Sequence, residues 1–451
     1  MGKTYRPWNP EQSWLLPPSP RDWLPEDDLV YFVLDTVADL DISAILRKYE
    51  REERGFPPFH PRMMVTLLLY SYTQGVFSSR RIMKRCQRDA AWRVIVQEDV
   101  PDFRTISDFR KLHLQELEGL FVQVLRLCQE AGLVKLGHVA LDGTKIKANA
   151  SRHKAMSYGR MKEEEKRLRQ EMRELLSRAE STDAAEDREH GPDRRGDELP
   201  AELARRESRL KKIRAARKAL EAQAKAAAEE ERRQQEEEEQ KRGGPSDGGR
   251  RIDPEQAVPD DKAQYNFTDP TTKIMKANNK GFDQCGNAQA AVDREHQIIV
   301  AADVTNEAND KRQFRPMAEQ ASQNVGRGQH IQKMSSDNGY FSEETVNWAE
   351  QNHLDVYLAT GRIKHGEQVP ESPRGRPPAG LTVKERMARK LRTKKGRETY
   401  AQRKWIVEPI FGFIKRGLGF TQFLLNGIEK MRSEWRLVCM ACNLRKLWAA
   451  A

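Results

Sequence analysis

The sequence predicts an α/β domain that is preceded by an all-helical segment and interrupted by a helical insert. Apolar residues recur with helical spacing from Asp27 to about Ala131. Short β-like segments then alternate with helical segments from 137 to 359, which is an α/β pattern. The stretch 159–264 contains no Phe, Trp or Tyr. We therefore expect a charged insert without a core of its own, between two ordinary cores.

Residues 1–135 form the predicted helical domain, which begins with an irregular arm rich in Pro and Trp at 1–25. One helix begins at Pro61, because proline suits the first helical turn. A long amphipathic helix runs from Thr105 to Gly132, where glycine ends it. Its apolar residues recur with helical spacing and are Leu112, Leu114, Leu117, Leu120, Phe121, Val124 and Leu125.

The predicted insert covers 155–262 and separates 136–154 from 263–451, which together make the α/β domain. The insert contains helical patterns at 155–181 and 200–242 and closes with a Gly-rich linker at 243–249. An a/d-like seam predicts an antiparallel helical hairpin or a weak coiled coil. The seam consists of Leu203, Leu210, Ile213 and Leu220.

The α/β domain begins with a strand at 137–148, where apolar residues alternate. After the insert, helices and strands are expected in turn. The strands are 288–293, 297–303, 331–336 and 355–359, and the helices are 318–325, 342–352 with Ser342 as N-cap, and helices from about 400 onwards.

Composition excludes several classes of protein. No run of about 18 apolar residues exists, so we expect no transmembrane helix and no membrane partner. The N-terminus has no apolar stretch of a secretion signal, and five cysteines make no disulfide framework, so we expect a reducing cytoplasm. Cys439 and Cys442 form a lone C-x-x-C in an apolar helical stretch. They should be small buried residues and not zinc ligands.

Most of the net charge of +11 comes from one stretch of the chain. Between Gly361 and Lys404 there are 14 Lys and Arg but four Glu, a local charge of +10. Its Pro, Gly and Arg content predicts a mobile loop that follows a DNA backbone, although a solubilising linker is the simpler alternative. The basic residues Arg80, Arg81, Lys84 and Arg85 are expected to add a second DNA contact, similar to a helix-turn-helix.

Three acidic residues lie where separate elements could bring them together. Asp142 is on the first strand, Asp337 is at the tip of a later strand, and Glu408 is in the C-terminal helical region. Hard oxygen ligands from three elements can hold Mg²⁺ and leave positions open for water and phosphate. Taken singly, each is more simply a turn, cap or solvated residue. Asp293, Asp303 and Asp310 compete with Asp337 for the second acidic position, but turn or cap roles are the plainer expectation for Asp303 and Asp310. Asp337 is preferred because its strand follows a helix and would lie next to the first strand.

Four segments together resemble the DDE transposases of bacterial insertion sequences, which have a ribonuclease H-like catalytic core. They are ALDGTKIKANAS around Asp142, NAQAAVDREHQIIVAADVTNEANDKRQF, SSDNGYFSEE around Asp337, and the stretch from Tyr400 through Glu408 to Lys415. The segments HPRMMVTLLLYSYTQGVFSSRRIMKRC and FRTISDFRK resemble the N-terminal domain of the same group. The resemblance implies a ribonuclease H-like mixed sheet with flanking helices.

The resemblance also implies the site. Asp142, Asp337 and Glu408 would bind two Mg²⁺, for which Mn²⁺ can substitute, with Asp142 between the two ions. Tyr400, a basic residue and Lys415 would contact DNA. The basic residue is either Arg403, which has the expected distance from Tyr400, or Lys404, which has the expected distance from Glu408. On an unbroken helix Lys404, Glu408 and Lys415 share a face, but Pro409 could kink or begin the helix.

The implied function is transposition. A DNA transposase of this group binds the terminal inverted repeats of its own insertion sequence, cuts the strand with a water molecule, and transfers the liberated 3′-hydroxyl to target DNA. Joining two ends implies a homodimer on DNA, in the bacterial cytoplasm at the nucleoid. The alternatives are a domesticated DNA-binding protein and a structure-specific nuclease with the same core but without strand transfer.

Overall fold

The computed structural model describes residue 22 and residues 24–49, 57–97, 99–190, 201–242, 253–276, 281–326, 328–361, 372–378 and 380–451. Most of the predicted N-terminal arm and the linker at 243–249 lie outside these ranges. The chain forms two compact units, and the second consists of Asn149–Met275 and Phe282–Gln284. The N-terminal helices and most of the large sheet belong to the first unit.

The N-terminal part is all-helical, as predicted. Its helices are α1 (Leu29–Asp39), α2 (Ser43–Tyr49), α3 (Pro61–Thr73), α4 (Ser79–Arg88), α5 (Ala90–Val96), α6 (Phe103–Leu112) and α7 (Leu114–Glu130). The prediction of one long helix from Thr105 to Gly132 is wrong, because the chain breaks between α6 and α7 at His113. The ring of His113 is fully buried, and its Nε2 lies 3.0 Å from the Tyr49 hydroxyl. The helix therefore ends at His113 because this ring is packed in the interior, although the apolar spacing continues past it.

Strand β1 (Val139–Lys147) lies where the sequence predicts it. The second unit contains β2 (Ala155–Ser157), α8 (Tyr158–His190), α9 (Ala201–Arg242) and β3 (Gln264–Asn266), and β2 pairs with β3. Helices α8 and α9 pack as the predicted antiparallel hairpin. The expectation that this segment has no core is wrong, because it buries a small apolar cluster. The cluster consists of Tyr158, Met161, Leu168, Leu210, Ile213, Ala216 and Leu220.

The main sheet has six strands, completed by β4 (Lys273–Lys276), β5 (Phe282–Asp293), β6 (Ile299–Thr305), β7 (Lys333–Ser336) and β8 (Asp355–Leu358). Their order is β4-β5-β1-β7-β8, and β6 pairs with β5. Strand β5 is antiparallel to β1 and β6, whereas β7 is parallel to β1 and β8. Helices α10 (Phe314–Val325) and α11 (Glu343–Gln351) connect the later strands. This mixed sheet with flanking helices is the expected ribonuclease H-like fold.

Three helices complete the described chain: α12 (Val383–Arg392), α13 (Lys394–Gly412) and α14 (Ile428–Trp448). The predicted mobile loop is wrong for 383–392 and 394–399, which are helical, whereas a helix is present from 400 onwards as predicted. Thr382 and Glu385 form a capping box at α12, and the Thr393 side chain caps α13. Residues 362–371 and 379 lie outside the described ranges.

Helix α14 packs against β6, α7 and α3 and so joins the sheet to the N-terminal helices within the first unit. It buries Cys439 and Cys442, and burial raises the pKa of the Cys442 thiol to about 12. Both are the small buried residues that the sequence predicts. Nowhere in the described ranges does a helix have the length and apolar character needed to cross a membrane.

Candidate functional site

Two predicted carboxylates lie side by side at one end of the central strands. Parallel pairing places Val139 opposite Met334 and Ala140 opposite Ser335. The same offset brings Asp142 level with Asp337, which follows β7 directly. Asp337 caps a short 3₁₀ turn, because its Oδ1 accepts the Gly339 N–H at 2.8 Å. The negative charge of Asp337 acts on Asp142 and favours its protonated form.

Arg403 forms an ion pair with Asp142. Its Nη1 lies 3.0 Å from Asp142 Oδ2, and its side chain is only 10% exposed. Burial raises the pKa of Asp142 to about 6, and Arg403 and the Gly143 N–H oppose that rise. The guanidinium carbon also lies 5.8 Å from the centre of the Tyr400 ring. Asp142, Arg403 and Tyr400 thus form one group on β1 and α13.

Lys415, which follows the C-terminal end of α13, also contacts strand β1. Its ammonium donates a hydrogen bond to Thr144 Oγ1, two residues from Asp142. Burial lowers the pKa of Lys415, while Cys285 and Asp142 oppose the change. The structure therefore places a second basic side chain beside β1, close to Asp142.

Lys404 and Glu408 lie elsewhere on α13, on its exposed face. Helix α13 begins well before Pro409 and continues through it to Gly412. Pro409 cannot donate to the Trp405 carbonyl, which instead accepts a hydrogen bond from Gln297 Nε2 at 2.8 Å.

The common face that an unbroken α-helix would give Lys404, Glu408 and Lys415 does not form, although Pro409 is not the cause. A π-helical turn at Phe413–Gly417 changes the phase of the helix before Lys415 is reached. Lys415 consequently faces β1, whereas Lys404 and Glu408 face outward.

Asp310 lies beside the turn that carries Asp337, although the sequence favours Asp337 over Asp310 as the second acid and gives Asp310 the plain role of a turn residue. Its Oδ1 accepts hydrogen bonds from Asn287 Nδ2 and Gln289 Nε2 at 2.6 and 2.8 Å. Lys145 Nζ lies 3.5 Å from the same oxygen. The available sequence signal was the position of Asp310 within the segment NEANDKRQF, but only the pairing of β5 with β1 brings it to the site.

The donor atoms fit a divalent cation in part. Asp142 and Asp337 offer hard carboxylate oxygens, which are the ligands that Mg²⁺ prefers. However, among the described residues no three His, Cys, Asp or Glu side chains are grouped closely enough to hold a metal ion. Glu408 is exposed on α13 and is not grouped with Asp142 and Asp337 as a third carboxylate.

A separate basic surface lies on α4. This helix buries Ser79, Ile82 and Cys86 on one side and exposes a row of basic side chains on the other. The exposed residues are Arg80, Arg81, Lys84, Arg85 and Arg88. Both regions with basic runs in the sequence, α4 and α12–α13, thus present cations to solvent.

Comparison with known proteins assigns the family. Residues 18–112 match the family model described as Transposase domain (DUF772), and residues 256–444 match the one described as Transposase DDE domain. Asp337 and Glu408 fall within the second match, whereas Asp142 precedes it. No curated protein and no solved structure matches the chain. The two family matches cover helices α1–α6 and strands β4–β8 of the main sheet, and the chain belongs to the DDE transposases of insertion sequences, enzymes that act on DNA.

Proposed function

We propose that this transposase binds the terminal inverted repeats of its own insertion sequence, cuts the DNA there and joins the liberated 3′ ends to target DNA. The observation that supports this proposal is the pairing of Asp142 with Asp337 beside Arg403 and Lys415. Acidic groups for a cation and basic groups for phosphate then lie within one site, which suits phosphodiester chemistry.

We assign Asp142, Asp337 and Glu408 as the ligands of two Mg²⁺. Glu408 is included because it lies in the motif shared with the family and on α13, the helix that also carries Arg403. A divalent cation supplies Lewis-acid polarisation of the phosphodiester when it is bound. Arg403 keeps Asp142 ionised near neutral pH, since its positive charge opposes the effect of burial. Lys415 and Tyr400 are assigned to the DNA backbone next to the cut.

The proposal includes a homodimer on DNA, because two element ends have to be joined to one target. The transposase would act in the bacterial cytoplasm, at the nucleoid. The basic surfaces of α4 and α12–α13 would follow the DNA backbone, since Lys and Arg on exposed helices bind phosphates without reading sequence.

The test uses duplexes that carry the inverted repeats found beside the coding sequence, with a labelled 3′ end. We expect Asp142→Asn and Glu408→Gln to bind these duplexes like the wild type and to cut them at least about 100-fold more slowly. Asp303→Asn serves as the control, because Asp303 lies on the outer strand β6 and pairs with Arg432 of α14.

The products discriminate between the candidate functions. Joined molecules with wild-type protein support transposition, and cut but unjoined ends indicate a nuclease. Binding without any Mg²⁺-dependent cutting would indicate a DNA-binding protein. Full cutting by either variant would remove that residue from the assigned ligands.

A further inference from the structure

Asp310 approaches the site through the loop that follows β6. Its Oδ1 accepts hydrogen bonds from the side-chain amides of Asn287 and Gln289, both of them buried residues of β5. Opposite them on β1 lie Lys145 and Gly143. A carboxylate that accepts two amide donors and has an ammonium group 3.5 Å away is held firmly in one orientation.

Two glycines leave the space that this carboxylate occupies. A Cβ at Gly143 would lie 3.0 Å from Asp310 Oδ1 and would overlap Gln289 Nε2. A Cβ at Gly339 would lie 3.0 Å from Asp337 Oδ1 and 3.5 Å from Asp310 Oδ2. Gly143, directly after Asp142, and Gly339, two residues after Asp337, therefore both permit the close approach of Asp310.

The amide of Gln289 connects Asp310 to the turn that follows Asp337. Gln289 Nε2 donates to Asp310, and Gln289 Oε1 accepts a hydrogen bond from the Tyr340 hydroxyl. Tyr340 is fully buried and ends the 3₁₀ turn that Asp337 caps. A carboxylate can only accept here, so it directs the NH₂ group of Gln289 toward itself and the carbonyl oxygen toward Tyr340.

We propose that Asp310 is a positioning residue of the catalytic site, which acts through Gln289 and Tyr340 to hold the turn that carries Asp337. The inference rests on the proposed function, because it concerns the same carboxylates. A displacement of about 1 Å in a catalytic group can lower a rate by about 100-fold. Asp310→Ala should therefore slow end cleavage by about 10- to 100-fold and leave the affinity for the DNA end unchanged.

The experiment compares the full-length wild type with Asp310→Ala, Asp310→Asn and the control Asp303→Ala. Asparagine keeps an oxygen that can accept both amides, so Asp310→Asn should recover at least about tenfold of the lost rate. Amide hydrogen exchange of 337–340 is measured on the same proteins without DNA. We expect faster exchange there in Asp310→Ala and no change in Asp303→Ala.

The relay itself is tested by a double-mutant cycle with Tyr340→Phe. If Asp310 acts through Tyr340, the double variant should lose little more than the more impaired single variant. Fully additive losses, unchanged exchange at 337–340, or an equal loss of DNA affinity and cleavage in Asp310→Ala would each overturn the inference. A wild type that fails to cut contradicts the proposed function alone, since the exchange measurement needs no cleavage.

Discussion

Arg403 and Lys404 are neighbours in sequence but lie in different surroundings. Arg403 is buried against Asp142, whereas Lys404 is exposed on α13. Arg403→Ala should lower end cleavage by about 10- to 100-fold, because Asp142 loses the cation that keeps it ionised. Lys404→Ala should change cleavage less than about threefold and is the matched control. Single-turnover cleavage rates check both, and equal losses in the two variants would contradict the assignment.

Glu434 on α14 is a buried acid outside the site. Its Oε2 accepts the backbone N–H groups of Leu424 and Leu425 at 2.9 and 3.2 Å. Burial raises the pKa of Glu434 to about 7, although Arg110 and these N–H groups oppose the change. Because the native-state pKa exceeds the unfolded value, the stability that this group contributes is complete at acidic pH. It is lost as pH rises through about 7.

Glu434→Gln should remove that pH dependence, because glutamine stays neutral and still accepts both N–H groups. Relative to the wild type, the free energy of unfolding of the variant should rise by up to about 3 kcal/mol between pH 5 and pH 8. Urea midpoints at several pH values check the prediction. Glu429→Gln, at an exposed position of the same helix, should keep the wild-type profile. If the free energy of unfolding of Glu434→Gln changes with pH as that of the wild type does, the prediction is wrong.

At the scale of elements, one acid supports the helical hairpin. Glu165 on α8 is buried and pairs with Arg217 and Arg214 on α9 at 2.6 and 3.0 Å. Arg169, one turn further along α8, is the third partner, and the three arginines lower the pKa of Glu165 although burial opposes this. The hairpin has few apolar side chains, so this cluster should carry much of its stability.

Glu165→Ala should lower the local stability of the hairpin by about 2–4 kcal/mol, since it leaves three arginines without their shared partner. Hydrogen exchange of 158–177 and 204–221 measures the effect. Glu163→Ala on the exposed side of α8 is the control and should leave exchange unchanged. Equal exchange in both variants would show that the apolar cluster alone holds the helices together.

The same scale shows why some elements could be predicted and others could not. β1 and α11 carry their local signals, alternation in one and an N-cap serine in the other. No local sequence signal marks the break at His113, because this break depends on the contact with Tyr49 on α2. The basic stretch looked like a loop by composition, yet the Thr382–Glu385 capping box starts a helix inside it.

For the whole molecule, the excess positive charge predicts salt-dependent DNA binding. The affinity for duplex DNA should fall steeply as salt rises, because each bound phosphate releases counterions. Replacing Arg81 and Lys84 on α4 together by Ala should reduce the log–log salt slope by about 2. Replacing Lys211 and Lys212 of the insert is the matched control, since the insert is nearly charge-balanced. Binding isotherms at four salt concentrations measure this slope. If the α4 double variant and the wild type have equal slopes, α4 is not part of the DNA interface.

The sequence by itself indicated the all-helical N-terminal part, the alternation of strands and helices after it, and the membership in the DDE transposases. These rest on local periodicity, composition and motifs, which each segment carries in its own residues. Only the tertiary structure decided that Arg403 and not Lys404 contacts Asp142, that Glu408 faces outward, and that Asp310 lies beside Asp337. These contacts join residues far apart in the chain, so they depend on strand register and helix phase, which no single segment encodes.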